Sequence, residues 1–284
     1  MIKLLLSGGL GNQMFQYAFA RALALRAKTG LKISRRFLRN DGFGRSYSLH
    51  HLSLPEEFLM TEREERAAHA LMYVSRKLGL KNGCIYDKRF DAVRADCFGR
   101  DNLTLQGYFQ SARNFAGYEE VIRRELKVST PPSRENAEMI HELAGCESVC
   151  VDVRRGDYLT LKFGSVCGYE YYASAMKYVA DRVKSPVFCM FSNTHEDIAY
   201  LRENWEFPGL TVKYVDLSNP DYEELRLMYS CQHFIIANSS LSWWGSYLCE
   251  NPRKIVCAPS RWIDDRPTAE TNIFLPGWTI TDKE

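Results

Sequence analysis

Twice along this chain, from Ile2 and again from Ser148, a short continuous apolar run gives way to a polar turn and then to a stretch of helical period. Runs that stay apolar without alternating suit strands covered on both faces, and strand, turn and helix in succession build a parallel sheet wrapped by helices. The first occurrence is the more regular. Ile2–Leu6 reads as the strand and Ser7-Gly8-Gly9-Leu10-Gly11-Asn12 as the turn. From Gln13 to Lys28, Met14, Phe15, Ala18, Phe19, Ala22, Leu23 and Leu25 recur at helical spacing. Gly30 closes that helix, Leu31–Ile33 starts a second strand, and the basic cluster Arg35, Arg36, Arg39 follows it.

From Ser148 onward, short apolar runs at Ser148–Val153, Val187–Phe191, Val212–Val215, Phe234–Ala237 and Ile255–Ala258 predict strands. Helices are expected between and after them, at Tyr169–Val183, Glu196–Glu203, Asp221–Ser230 and Ser242–Glu250. Asn219-Pro220 has the form of an N-cap followed by proline at the first helical position. The middle of the chain is less regular. Thr61–Leu80 reads as a helix with an acidic first turn (Glu62, Glu64, Glu65), and Leu103–Tyr108 as a strand. Thr130-Pro131-Pro132-Ser133 is the best candidate boundary, two prolines interrupting regular structure before a polar helix ending near Gly145. The pattern predicts an α/β protein of two Rossmann-like lobes, 1–146 and 147–284.

Composition narrows the class. Of 284 residues, 45% are hydrophobic and 25% charged, the balance of a globular protein and not of a disordered one. A formal charge of +2 gives no global attraction to nucleic acid, so any anion site must be local. No apolar run approaches the roughly 18 residues of a transmembrane helix, and Ile2–Leu6 is too short for the core of a signal peptide. The nine cysteines are odd in number and include no C-x-x-C pair, which speaks against a zinc ribbon or a redox pair and for reduced thiols in a cytoplasmic setting. Neither H-E-x-x-H nor D-x-D occurs, so the closely spaced carboxylates that hold a metal against a diphosphate are missing.

Four strand ends concentrate polar residues. The turn after the first strand carries Gly9-x-Gly11 but has Met14 in place of the third small residue of a dinucleotide fingerprint, and no acidic residue falls near positions 32–36. Arg35 and Arg36 could bind a 2′-phosphate, which leaves an NADP-dependent oxidoreductase as an alternative; a phosphate loop of the Gly-Lys-Ser/Thr type is absent. Asn12 and Gln13 place two amides at a helix start, where they could meet a polyhydroxylated ligand. The second strand end is Asp152-Val153-Arg154-Arg155-Gly156-Asp157-Tyr158. Successive strand residues point to opposite faces, so Arg154 would grip a phosphate as a fork while Arg155 or Asp157 braces the loop. The third, Asn238-Ser239-Ser240-Leu241-Ser242-Trp243-Trp244-Gly245, sets hydroxyls and an amide at a helix start, a second anion cradle. Its two tryptophans fit a core better than a base-stacking platform. Ser192-Asn193-Thr194 ends a further strand and reads as a helix cap or a ligand contact.

Together these segments resemble the bacterial α-1,2-fucosyltransferases of glycosyltransferase family 11. The likeness rests on Gly8-Gly9-Leu10-Gly11-Asn12-Gln13-Met14-Phe15-Gln16-Tyr17, Leu105-Gln106-Gly107-Tyr108-Phe109-Gln110-Ser111, Arg154-Arg155-Gly156-Asp157-Tyr158 and the block from Asn238 to Gly245, in that order. The resemblance implies a GT-B fold with a cleft between the lobes, GDP-β-L-fucose as donor, inversion at the anomeric carbon, and neither cofactor nor metal. By the same likeness Arg154 meets the β-phosphate of the departing GDP, and Arg155 and Asp157 complete its motif. Ser192, Asn193, Asn238, Ser239 and Ser240 line the donor side, and Gly9, Gly11, Asn12 and Gln13 form the floor facing the other lobe. The family motif usually opens with histidine two residues before the arginine pair, where this chain has Asp152. That position makes Asp152 a candidate base or positioning group, although nearby arginines would lower its pKa and weaken it as a base. A galactoside-terminated glycan would be the acceptor, with peripheral contact at the inner face of a membrane that carries lipid-linked glycan. Another GDP-sugar as donor, or a sugar-nucleotide-binding protein without catalysis, are the remaining alternatives. The stretch from Phe37 to Asn102, where acceptor choice would reside, carries no readable motif.

Overall fold

The computed structural model describes residues 1–39, 44–54, 58–80, 83–155, 167–263 and 270–282. They form two compact units, Met1–Thr130 and Pro131–Glu284.

In the first unit, β1 (Ile2–Leu5), β2 (Leu31–Ser34), β3 (Cys84–Tyr86) and β4 (Thr104–Gln106) form an all-parallel sheet in the order β2-β1-β4-β3. Helix α1 (Leu10–Arg26) buries thirteen of its seventeen residues, so it is a core helix and not a half-exposed one. It starts at Leu10, ahead of the apolar periodicity, because Gly9 in extended conformation serves as its N-cap. Helix α2 (Glu62–Leu78) begins at a capping box between Thr61 and Glu64 and stops at Gly79, whose φ of +64° suits the left-handed C-cap. A short α3 (Glu119–Glu125) brings Glu125 against Arg21 (2.7 Å) and the Tyr17 hydroxyl. Strand β3 and helix α3 had no clear sequence signal: one is three residues long and the other two turns.

The second unit opens with α4 (Arg134–Ala144), capped by the Ser133 hydroxyl. The sequence pattern placed this helix in the first lobe, with a boundary at 146. Instead its Asn136 Nδ2 donates to Asn219 Oδ1 (2.8 Å) and Glu223 Oε2 (3.2 Å), and the chain divides at Pro131. Then follow β5 (Ser148–Asp152), α5 (Tyr169–Ala180), β6 (Val187–Phe191), α6 (His195–Asn204), β7 (Thr211–Tyr214), α7 (Asp221–Ser230), β8 (His233–Ile235), α8 (Ser240–Leu248), β9 (Val256–Pro259) and β10 (Thr279–Thr281). The sheet is all parallel in the order β10-β9-β8-β5-β6-β7. Counted within the unit, that is the doubly wound order 3-2-1-4-5-6, whose direction reverses between β5 and β8. All five residues of β5 are buried, as a central strand requires. The nine thiols are free, and burial pushes that of Cys257 up to about 12, so it packs as a small hydrophobe. Trp243 and Trp244 are fully buried, the first donating from Nε1 to Ile273 O (2.7 Å), as the core assignment anticipated. Gly245 follows them because a Cβ there would come within 2.9 Å of Met228 Cβ on α7.

Candidate active site

In a doubly wound sheet, ligands bind beyond the carboxyl ends of the strands, at the point where strand order reverses. In the second unit that point lies beyond β5 and β8. Val151 is paired with Ile235, and Arg154 and Asn238 each lie three residues beyond that pair, past the ends of β5 and β8. Two tyrosines of the first turn of α5 fasten these ends. Tyr172 donates to Asp152 O (2.9 Å) and Tyr171 to Ile236 O (2.6 Å). Burial holds both hydroxyls well above the ordinary tyrosine range, so they remain donors.

Asp152 and Arg154, two residues apart, lie on the same side of the chain, and the carboxylate holds the guanidinium. Arg154 Nε is 3.1 Å from Asp152 Oδ1 and 3.2 Å from Oδ2. Its Nη1 donates to Asn193 Oδ1 at 2.7 Å. Asp152 is fully buried and its Oδ1 accepts no hydrogen bond among the described residues. A buried charge is retained only when paired, so the Asp152 carboxylate and Arg154 define each other's position. Arg155 points the other way, its guanidinium 3.5 Å above the Tyr200 ring and its Nε 3.7 Å from Asp197 on α6. It engages α6, whereas the sequence pattern had Arg155 or Asp157 bracing the loop. Asp157 lies outside the described residues.

The neighbouring strand ends complete the frame. Ser192, on the donor side by expectation, spends its hydroxyl on Val153 O (2.8 Å) and ties β6 to β5. Thr194 caps α6 through Asp197 N (3.1 Å). Asn238 is buried and its Nδ2 donates to Trp262 O at 3.2 Å. Ser239 is the N-cap of α8 and makes no side-chain capping bond, so the first N–H groups of that helix are not closed by its hydroxyl. Ser240 opens the helix and is half-buried.

A cavity of about 440 Å³ adjoins this frame, between the carboxyl ends of β6 and β7, lined among others by Ser192, Asn193, His195, Asp216, Ser218 and Glu224. His195 bridges Asp216 through Nδ1 and Ser218 through Nε2. Glu224 was not legible in the sequence, since an acidic residue in the first turn of a helix is what the helix dipole alone would favour. Its environment sets it apart from its neighbours: burial pushes its carboxyl up to about 7, Arg154 draws it down, and Asp152 and Asp221 push it further up.

In the first unit, the turn after β1 is held by glutamines. Gly8 adopts φ +79°, and a Cβ there would meet Asn12 Nδ2 at 3.0 Å. Gln16 bonds both the N–H (3.1 Å) and the carbonyl (2.8 Å) of Ser7. Gln13, expected to face a ligand, is fully buried: Nε2 donates to Gly8 O (2.8 Å) and Ser46 O (2.7 Å), and Oε1 accepts from Ser48 N (3.2 Å). Its amide is committed to backbone and fastens the 44–48 segment. Gly11 is likewise buried, Gly9 half-buried, and Asn12 keeps partial exposure while accepting from the Gln110 amide in the segment after β4 (2.5 Å).

The sequence profile described as Glycosyl transferase family 11 matches residues 85–282. The chain belongs to this family. An α-1,2-colitosyltransferase of Escherichia coli is 29% identical to this family 11 chain over 282 residues, covering 95% of it and 94% of the relative. The O-antigen biosynthesis glycosyltransferase WbnK, also of Escherichia coli, is 28% identical, covering 91% and 93%. Among solved structures, a mutant of Arabidopsis thaliana FUT1 in complex with GDP superposes with a TM-score of 0.55 at 12% identity, over 90% of this chain and 69% of that one. The shared architecture is GT-B, as expected. Family 11 membership removes the oxidoreductase alternative; of the two arginines that suggested it, Arg35 lies 5.3 Å over Tyr47.

Proposed function

We propose that this protein is an inverting galactoside α-1,2-fucosyltransferase, transferring L-fucose from GDP-β-L-fucose to the 2-hydroxyl of a terminal galactoside. The observation that carries the reading is Arg154, fixed by Asp152 and Asn193 just beyond the end of β5, at the strand-order reversal. As the acceptor oxygen attacks C1 and the bond to GDP breaks, negative charge grows on the leaving diphosphate. A preorganised guanidinium and helix N–H groups stabilise that charge without moving. In this reading Asn238, Ser239 and Ser240 line the diphosphate, the second unit serves the donor, and the first serves the acceptor through Asn12 and the turn of Gly9 and Gly11. Glu224, in the cavity beside Asn193, accepts the N1–H and N2–H donors of guanine, a pairing that adenine cannot offer. No metal takes part, and no nucleic acid or other cofactor is needed.

The test is GDP release from GDP-β-L-fucose, with EDTA present, across β-galactoside-terminated acceptors. Acceptor-dependent release is the expected result. Tight GDP binding without release on any acceptor overturns fucosyl transfer. The colitosyltransferase relative favours one second reading, the same α-1,2 linkage made from GDP-colitose, and side-by-side turnover of the two donors decides between them.

Asp152 in this reading positions Arg154. Asp152→Asn keeps the shape and removes the charge, and kcat falls about tenfold, the loss of roughly 1.4 kcal/mol of transition-state stabilisation. The acidic limb of the pH–rate profile stays where it is. Loss of that limb in the variant would make Asp152 the base instead.

A further inference from the structure

We propose that the face formed by the C-terminal half of α2 and the start of β3 docks on a membrane surface containing anionic phospholipid. Five of the ten exposed large apolar side chains among the described residues fall between positions 71 and 80: Leu71, Tyr73, Val74, Leu78 and Leu80. Scattered apolar residues on a surface need no explanation, but a contiguous group does. Leu71, Val74 and Leu78 are spaced i, i+3, i+7 and so form one stripe, 41%, 44% and 63% exposed, while Ala68, Met72 and Ser75 face the core. The stripe is therefore a second apolar face on a helix that has already buried its first.

Charge identifies the occupant. At 100° per residue, Arg63, Arg66 and Lys77 run along one flank of the stripe. Beside it a cavity of about 600 Å³ is lined by Arg76, Lys77 and Lys88 together with Met72, Tyr73, Leu80 and Tyr86, and by no Asp or Glu among the described residues. The Arg76 guanidinium rests 3.7 Å above the Tyr86 ring at its wall. No acidic residue occurs from Arg66 to Leu80. The acids of α2 lie in its first turn and are engaged there, Glu62 with Arg66 (3.6 Å), Glu64 with Lys32 (3.7 Å) and Glu65 with Arg39.

An apolar ridge bordered by cations, with a cationic and aromatic hollow next to it, matches the depth profile of a bilayer surface. The ridge enters the acyl boundary while phosphates sit at the level of the ammonium and guanidinium groups. A second copy of the chain fits poorly, because a two-fold contact through this face would set Arg76 and Lys77 against the same residues of its partner.

Co-sedimentation of the full chain with vesicles of phosphatidylcholine alone, or mixed with phosphatidylglycerol, tests this. Binding is expected only to the mixed vesicles, and it weakens as salt is raised. Lys77→Gln and Lys88→Gln each reduce it about fivefold, the equivalent of about 1 kcal/mol per cation near an anionic surface. Leu71→Ser combined with Leu78→Ser abolishes it, while GDP affinity stays unchanged in all these variants. Equal binding to both vesicle types, or no vesicle binding together with a concentration-dependent dimer that Leu78→Ser disperses, overturns the proposal.

Discussion

Arg154→Ala lowers kcat by about 100- to 1,000-fold, the scale observed when one preorganised donor at a developing charge is lost. GDP affinity falls much less, because the ground-state diphosphate keeps the N–H groups of α8 and its own hydration. Asp152 and Asn193 fix the guanidinium before the donor arrives, so none of its stabilising effect is spent on reorientation. The alanine variant also leaves Asp152 buried with no cation, at a cost of roughly 3–5 kcal/mol in stability. Arg154→Lys separates the two effects: it preserves a charge for Asp152 and folds, yet offers no fork, and kcat still drops about tenfold or more. Single-turnover transfer and thermal melting on both variants check this. A lysine enzyme with wild-type turnover would reduce Arg154 to a structural ion pair.

GDP binding strengthens as pH rises through about 7, and Glu224→Gln removes that dependence. Burial raises the Glu224 carboxyl to about 7, and guanine, as two N–H donors, binds its ionised form. Ionisation is about a tenth complete one pH unit below such a pKa, so affinity at pH 6 is roughly tenfold weaker than the plateau above pH 8. Glu224→Gln also narrows the preference for GDP over ADP by about tenfold or more, since hydrogen bonds to a charged acceptor contribute about 1.5–3 kcal/mol. The stability sign runs opposite to that of an ordinary surface carboxylate. The native group binds its proton more tightly than the unfolded one, with a reference value of 4.5, so the native state holds more protons between the two values. Stability of the free protein therefore declines as pH rises through this window, and Glu224→Gln raises Tm at pH 8 more than at pH 5. Calorimetric titration with GDP and ADP across pH, paired with melting curves, measures both. A GDP affinity that is flat in the wild type would remove Glu224 from base recognition.

Much of this protein was legible because local periodicity records which faces are covered. Val149–Val151 and Val187–Phe191 are apolar throughout, and the expected strands Ser148–Val153 and Val187–Phe191 both became interior parallel strands within a residue of their expected ends. The helix at Asp221–Ser230 appeared as expected, although Pro220 and not Asn219 is its N-cap, since the Asn219 side chain is taken by Asn136. Turn chemistry was equally readable at Gly8, where φ is positive. The same signals misplaced Gln13. Polar residues at a helix start look alike whether they face a ligand or fasten a distant loop, and only the approach of residues 46 and 48 distinguishes these cases.

The sequence alone thus determined the two α/β halves and the strand ends where polar groups gather, both consequences of spacing within a few residues. Tertiary structure alone decided the order β10-β9-β8-β5-β6-β7, which sets β5 beside β8, and it brought Glu224 into the field of both Asp152 and Arg154. It also decided which face of α2 stays uncovered. Period and propensity are properties of neighbours along the chain, whereas a shifted carboxyl or a bare apolar stripe depends on which distant elements pack together and which leave a surface open to water.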